Sequence, residues 1–127
     1  MPPLCFIVDD DDDTREGFAE YLREWGFEVQ TASDAAELHA LLATTTPAAI
    51  LMDVQMPRVD GWTLTREIKG NTQTRDVLVL VFSASDRDQD LQAAADAGAD
   101  GFIAKPCDPH VIVNELVRLL GVEPLSG

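Results

Sequence analysis

Five side chains suited to phosphoryl chemistry stand at the ends of four apolar runs in this 127-residue chain. Asp9 and Asp10 follow Leu4-Cys5-Phe6-Ile7-Val8, and Asp53 follows Ala48-Ala49-Ile50-Leu51-Met52. Ser83 follows the run from Val77 to Phe82, and Lys105 follows Gly101-Phe102-Ile103-Ala104. Three carboxylates brought to about 5 Å in an effective dielectric of about 20 repel by roughly 3 kcal/mol per pair. Summed, that rivals the ~5–15 kcal/mol stability of a whole domain, so a cation is needed to offset it. All-oxygen ligands select a hard cation, and Mg²⁺ fits because it binds through a few carboxylates, water and a phosphoryl group. Lys105 would supply the remaining positive charge, and Ser83 a hydroxyl.

The elements that must position these groups follow from the runs themselves. Short continuous apolar stretches bounded by polar residues read as strands buried on both faces, the signature of a parallel sheet. Ligands of open parallel sheets sit beyond the carboxyl ends of the strands, so Asp9, Asp10, Asp53, Ser83 and Lys105 are expected on one edge. Helical signals fall between the strands. Asp12 or Asp13 is expected to cap a helix running to Trp25, with Phe18, Tyr21, Leu22 and Trp25 on one face and Gly26 as the stop. Phe27 to Thr31 alternates like a strand, and Ser33 or Asp34 can cap a helix carrying Leu38, Leu41 and Leu42. Met56 to Gly61 has the chemistry of a turn-bearing loop, in which Gly61 reads as a turn residue. A helix from Trp62 to Lys69 follows, stopped by Gly70-Asn71. Asp86 opens an alanine-rich helix that ends before Gly98, and Asp108-Pro109 opens the last, with Val113, Leu116, Val117 and Leu120 as its apolar face. Five strands alternating with five helices predict an α/β fold, a parallel sheet covered on both faces. Residues 1–121 form one domain, and residues 122–127 read as a tail or the start of a linker.

Other chemistries can be read into the acidic run. Asp11, Asp12 and Asp13 fit a solvated charge run that partly serves a helix N-terminus. Asp9, Asp11, Asp13 and Glu20 occupy coordinating positions of a calcium loop, but Thr14 replaces its central glycine and a strand precedes it. Asp10-x-Asp12-x-Thr14 matches the pattern of haloacid-dehalogenase-type phosphatases, Mg²⁺ enzymes with an aspartate nucleophile, and stands as the alternative reading. Those enzymes usually need a longer chain and a further acidic pair. His39 and His110 read as surface or packing histidines.

Composition bounds the function. The apolar fraction of 46% and charged fraction of 25% are ordinary for a globular domain. A net charge of −14 repels nucleic acid and anionic lipid, so direct nucleic-acid or membrane binding is not expected. No apolar run approaches the ~20 residues that span a bilayer, and no basic flank marks a signal peptide. Cys5 and Cys107 match no zinc spacing, and a reduced, cytoplasmic setting is expected.

Four motifs in order carry a resemblance that covers nearly the whole chain: Val8-Asp9-Asp10; Met52 to Gly61 (MDVQMPRVDG); Phe82-Ser83-Ala84; and Gly98 to Pro106 (GADGFIAKP). With them the chain resembles the receiver domain of two-component response regulators, in the form of a chemotaxis-regulator-like single domain. The resemblance implies a flavodoxin-like (βα)5 doubly wound sheet of five parallel strands in the order 2-1-3-4-5. It implies that Asp53 accepts a phosphoryl group from a sensor histidine kinase or a histidine phosphotransfer protein. A carboxylate needs no general base for such an attack at neutral pH. Asp10 would bind Mg²⁺ directly and Asp9 mainly through water, with Asp53 and the backbone carbonyl of Gln55 completing the protein's share. Lys105, aimed by a cis peptide at Pro106, and Ser83 would contact the phosphoryl group, and Phe102 stands at the switch aromatic's position. Gln55 and Ser85 occupy positions that modulate phosphoryl lifetime, and Asp11 one often held by Glu. The implied protein is a phosphorylation-driven switch, not a metabolic enzyme: it would catalyse only its own phosphorylation and dephosphorylation. It would signal through its last two helices and the strand between them to a downstream protein or an output domain. Both a stand-alone regulator and a receiver from a longer regulator or hybrid kinase fit.

Overall fold

The computed structural model describes residues 3–56, 59–83, 87–104 and 108–121. Its strands are β1 (Leu4–Val8), β2 (Glu28–Ala32), β3 (Ala49–Asp53), β4 (Leu78–Ser83) and β5 (Gly101–Ala104). They pair in parallel in the order β2-β1-β3-β4-β5, as expected. The helices are α1 (Asp12–Glu24), α2 (Ala35–Thr44), α3 (Gly61–Gly70), α4 (Arg87–Ala97) and α5 (Pro109–Leu120). The expected loop between β3 and α3 contains a two-residue antiparallel ladder, Gln55–Met56 against Val59–Asp60.

Every residue of β3 is buried, which is why its sequence shows no polar alternation. Successive side chains instead feed two separate cores. Cys5, Ile7, Ala49, Leu51, Leu80 and Phe82 pack with Ala19 and Leu22 of α1 and Ile112, Val113 and Leu116 of α5. Phe6, Val8, Ile50, Met52, Val79 and Val81 pack with Leu38 of α2, Leu64 and Ile68 of α3 and Ala94 of α4. Burial pushes the Cys5 thiol up to about 12, leaving it an inert core residue.

Helix ends follow local chemistry, with one shift. Asp11, not Asp12 or Asp13, caps α1: its extended backbone (φ −84°, ψ 114°) lets its carboxylate accept the Thr14 N–H at 2.9 Å. Asp12 and Asp13 lie inside the first turn, where they favour the helix dipole. At α2 both candidates contribute. Asp34 accepts the Glu37 N–H at 2.8 Å, and the Glu37 carboxylate accepts from Ser33. Asp108 caps α5 ahead of Pro109, and Gly121 (φ 66°) ends it.

At the amino end of the sheet, Lys69 Nζ donates to Asp100 Oδ2 at 2.9 Å and to the Val77 carbonyl at 3.0 Å. Asp100 Oδ2 also accepts the Val79 N–H at 2.8 Å, so one carboxylate ties α3 to the starts of β4 and β5. Both side chains are mostly sheltered, 19% and 26% exposed. Lys69→Met keeps the aliphatic stem and strands these acceptors. It is expected to lower stability by about 1–3 kcal/mol in urea melts at unchanged slope, and a loss below measurement error would show the clamp to be idle. Both histidines sit at surface contacts. His39 lies 3.3 Å from Glu67 between α2 and α3, and His110 meets the Tyr21 hydroxyl and the Trp25 ring. Among the described residues no helix is long and apolar enough to cross a membrane.

Candidate functional site

Parallel pairing brings the strand ends to one edge. Asp53 is the last residue of β3 and lies opposite Phe82, while Ser83 ends β4 opposite Ala104. The Val54 N–H continues the ladder one residue further, donating to the Phe82 carbonyl at 3.3 Å. Asp9 leaves β1 with its N–H on the Ala32 carbonyl of β2 at 3.1 Å. Asp9, Asp10 and Asp53 therefore converge, each offering a carboxylate oxygen within 4.8 Å of the others. Asp9 and Asp53 are each only 2% exposed and Ser83 1%, whereas Asp10 is exposed and opens the cluster to solvent. Three oxygen donors at that spacing, two of them sunk into the protein, suit a small hard cation that keeps part of its water shell. The donor set fits Mg²⁺ and offers nothing for a soft metal.

The segment after β1 is tightly held. Asp9 Oδ1 accepts the Asp11 N–H at 2.9 Å, and the Asp9 carbonyl accepts from Arg15 Nη1 at 2.9 Å. Arg15 also pairs with Asp12 and lies 3.5 Å from Glu16. Arg15 was not among the candidates drawn from the sequence. A signal for it exists: a cation near the start of α1 opposes the helix dipole, which calls for compensating partners.

This geometry removes the two competing motifs. Asp12, whose side chain is 81% exposed, turns to Arg15, and the Thr14 hydroxyl is bonded to Asp11, so Asp10-x-Asp12-x-Thr14 does not converge on a nucleophile. Asp13 and Glu20 lie within α1, and a continuous helix from Asp12 cannot wrap a calcium ion.

Gly61 is not a turn residue. It is buried as the first residue of α3, and an added Cβ would lie 2.5 Å from Val54 Cα and 2.6 Å from the Asp53 carbonyl oxygen. The helix thus begins hard against the backbone that carries Asp53. Thr65 is fully buried and donates its hydroxyl to the Gly61 carbonyl at 2.9 Å, fixing that turn. Phe102 is half-buried and packs on the core beneath α2, α3 and α4. Lys105, Pro106, Cys107, Ser85, Asp86 and the segment 122–127 lie outside the described residues. For Gln55 the backbone is described, in the short ladder.

Comparison with known proteins agrees with this layout. The family model of the response regulator receiver domain matches residues 5–117. The response regulator MprA of Mycobacterium sp. (strain KMS) is 37% identical over 120 residues, covering 94% of this chain and 51% of that protein. The chain thus spans about half the length of the curated relatives it matches. Among solved structures, the chemotaxis response regulator CheY4 of Vibrio cholerae superposes with a TM-score of 0.87 at 25% identity, covering 94% of this chain and 99% of that one. The receiver domain of sensor histidine kinase PA1611 from Pseudomonas aeruginosa PAO1 gives 0.85 at 25% identity, over 96% and 100% of the two chains. That structure has a magnesium ion coordinated in its active site cleft.

Proposed function

Because this chain belongs to the receiver domain family of two-component response regulators, we propose that it is a signalling switch whose phosphoacceptor is Asp53. The observation that carries the reading is the convergence of Asp9, Asp10 and Asp53 within 4.8 Å at the carboxyl edge of the sheet. A carboxylate oxygen of Asp53 attacks the phosphorus of a phosphohistidine on a sensor kinase or phosphotransfer protein. The new O–P bond forms as the P–N bond breaks, and that electron pair leaves on the imidazole, which takes up a proton. Asp9, Asp10, Asp53 and the backbone carbonyl of Gln55 would hold Mg²⁺, which when bound neutralises charge on the transferring oxygens. Lys105 adds a second positive charge there. Ser83 donates a hydrogen bond to the phosphoryl group once it forms, and Phe102 follows the movement of that hydroxyl.

The sheltered position of Asp53 favours a strong response, since charge added at a residue only 2% exposed is less screened than charge on open surface. The phosphoryl group biases a two-state surface made by α4, β5 and α5. The domain catalyses only its own phosphorylation and dephosphorylation, and residues 1–121 suffice for it. In the cytoplasm the response passes to a downstream protein or an output domain. A net charge of −14 argues against direct nucleic-acid contact by this unit.

Incubation with acetyl phosphate and Mg²⁺, read by intact mass, tests the proposal. One base-labile phosphoryl group is expected, mapping to Asp53 after borohydride trapping and absent when Mg²⁺ is chelated. Label on Asp10, or rapid turnover of phosphate esters, would overturn it.

A further inference from the structure

Asp9 donates its N–H to the Ala32 carbonyl and accepts the Asp11 N–H at Oδ1, and its own carbonyl, on the peptide that leads to Asp10, is held as well. The group it meets is the guanidinium of Arg15, at 2.9 Å, on a side chain only 12% exposed. A cation so close to a would-be Mg²⁺ site ought to repel the metal. Here the guanidinium is shared with the carboxylates of Asp12 and Glu16, so the local group carries net negative charge. Its planar fork reaches a backbone acceptor and Asp12 at once, which holds the link between β1 and α1 in one geometry.

We infer that Arg15 is a positioning residue for Mg²⁺ binding, acting through the Asp9 carbonyl to fix where the Asp9 and Asp10 carboxylates stand. The inference rests on the Mg²⁺ reading above. Groups that orient metal ligands typically contribute about 10-fold or more in affinity when removed. A purely electrostatic role has the opposite sign, since deleting a positive charge beside a cation site should tighten metal binding.

Calorimetric titration of Mg²⁺ into the wild type, Arg15→Met and Arg15→Lys separates the two. Met preserves the buried stem, and Lys restores one donor and the charge. Arg15→Met is expected to weaken Mg²⁺ about tenfold, and Arg15→Lys to recover a substantial part of that loss. Melts in chelator report folding separately, so a general loss of stability with unchanged Mg²⁺ affinity overturns the inference. Tighter binding in Arg15→Met overturns it too, in favour of charge repulsion. A wild type that binds no Mg²⁺ takes down the metal reading itself, and this inference with it.

Discussion

Asp53→Asn is expected to melt at a higher temperature than the wild type in Mg²⁺-free buffer, while losing both phosphoryl acceptance and most of the Mg²⁺ response. The amide has nearly the shape of the carboxylate but no charge. With oxygens of Asp9, Asp10 and Asp53 within 4.8 Å of one another, the substitution removes two of three repulsive pairs. Each pair costs roughly 3 kcal/mol at about 5 Å in an effective dielectric of about 20. Exposure of Asp10 brings solvent screening that cuts its share, and the attraction of Asp53 to the Lys105 charge proposed above is lost too, so a net gain of only about 2 kcal/mol is expected. For a domain of this size that corresponds to a rise of roughly 5–10 °C. Millimolar Mg²⁺ should close the gap from the other side, because a ligand at about 100 times its Kd stabilises the native state by about 2.7 kcal/mol. Scanning calorimetry of both proteins with and without Mg²⁺ checks all of this. An asparagine variant less stable than the wild type in chelator, with an undiminished Mg²⁺ increment, would show that the cluster is neither strained nor the metal site.

Gly61→Ala carries the second large effect, and its sign distinguishes two physical accounts. On helix propensity alone, alanine for glycine in α3 should stabilise by about 1 kcal/mol. The structure predicts the reverse. The new Cβ would lie 2.5 Å from Val54 Cα and 2.6 Å from the Asp53 carbonyl oxygen, both backbone atoms of a buried strand end that cannot swing aside. Forcing an extra methyl into such a place costs about 1–3 kcal/mol, occasionally more. The displaced atoms belong to Asp53 and its neighbour, so the Mg²⁺-induced rise in melting temperature should shrink as well. Gly17→Ala is the control: it lies in the interior of α1 with nothing within 4 Å of the added atom, and should be stabilising. If both substitutions stabilise alike, the close approach of α3 to Asp53 does not constrain this glycine.

What was legible in the chain divides by the range of the forces involved. Strand ends and their edge were readable because β1, β3 and β4 are unbroken apolar runs, and such runs close on the same side of a parallel sheet. The convergence of Asp9, Asp10 and Asp53 followed from that alone. The α1 cap was displaced by one residue because five consecutive aspartates share the same capping chemistry, and only the path of the chain leaving β1 selects Asp11. Gly61 was misread for a related reason. It sits among Pro57 and Asp60, which favour turns, while the contact that demands glycine comes from Val54, a tertiary neighbour. Lys69 and the site contact of Arg15 were passed over because neither is written in a local period; only the pairing of Arg15 with Asp12, three residues earlier, is. Lys69 meets Asp100 across 31 positions, and Arg15 meets a backbone carbonyl that no side-chain pattern encodes.

Neighbouring residues on one strand serve different interiors, Cys5 and Ile7 on one side of the sheet and Phe6 and Val8 on the other. Among the described residues the two compartments lie on opposite sides of the shared strands, so substitutions in separate halves should combine additively when they lie well apart. For a lineage carrying this chain, the layer of α1 and α5 and the layer of α2, α3 and α4 can drift on separate clocks. The proposed signalling face, drawing α4 from one layer and α5 from the other, would register changes in both, while the carboxylates at the strand ends stay where the shared backbone holds them.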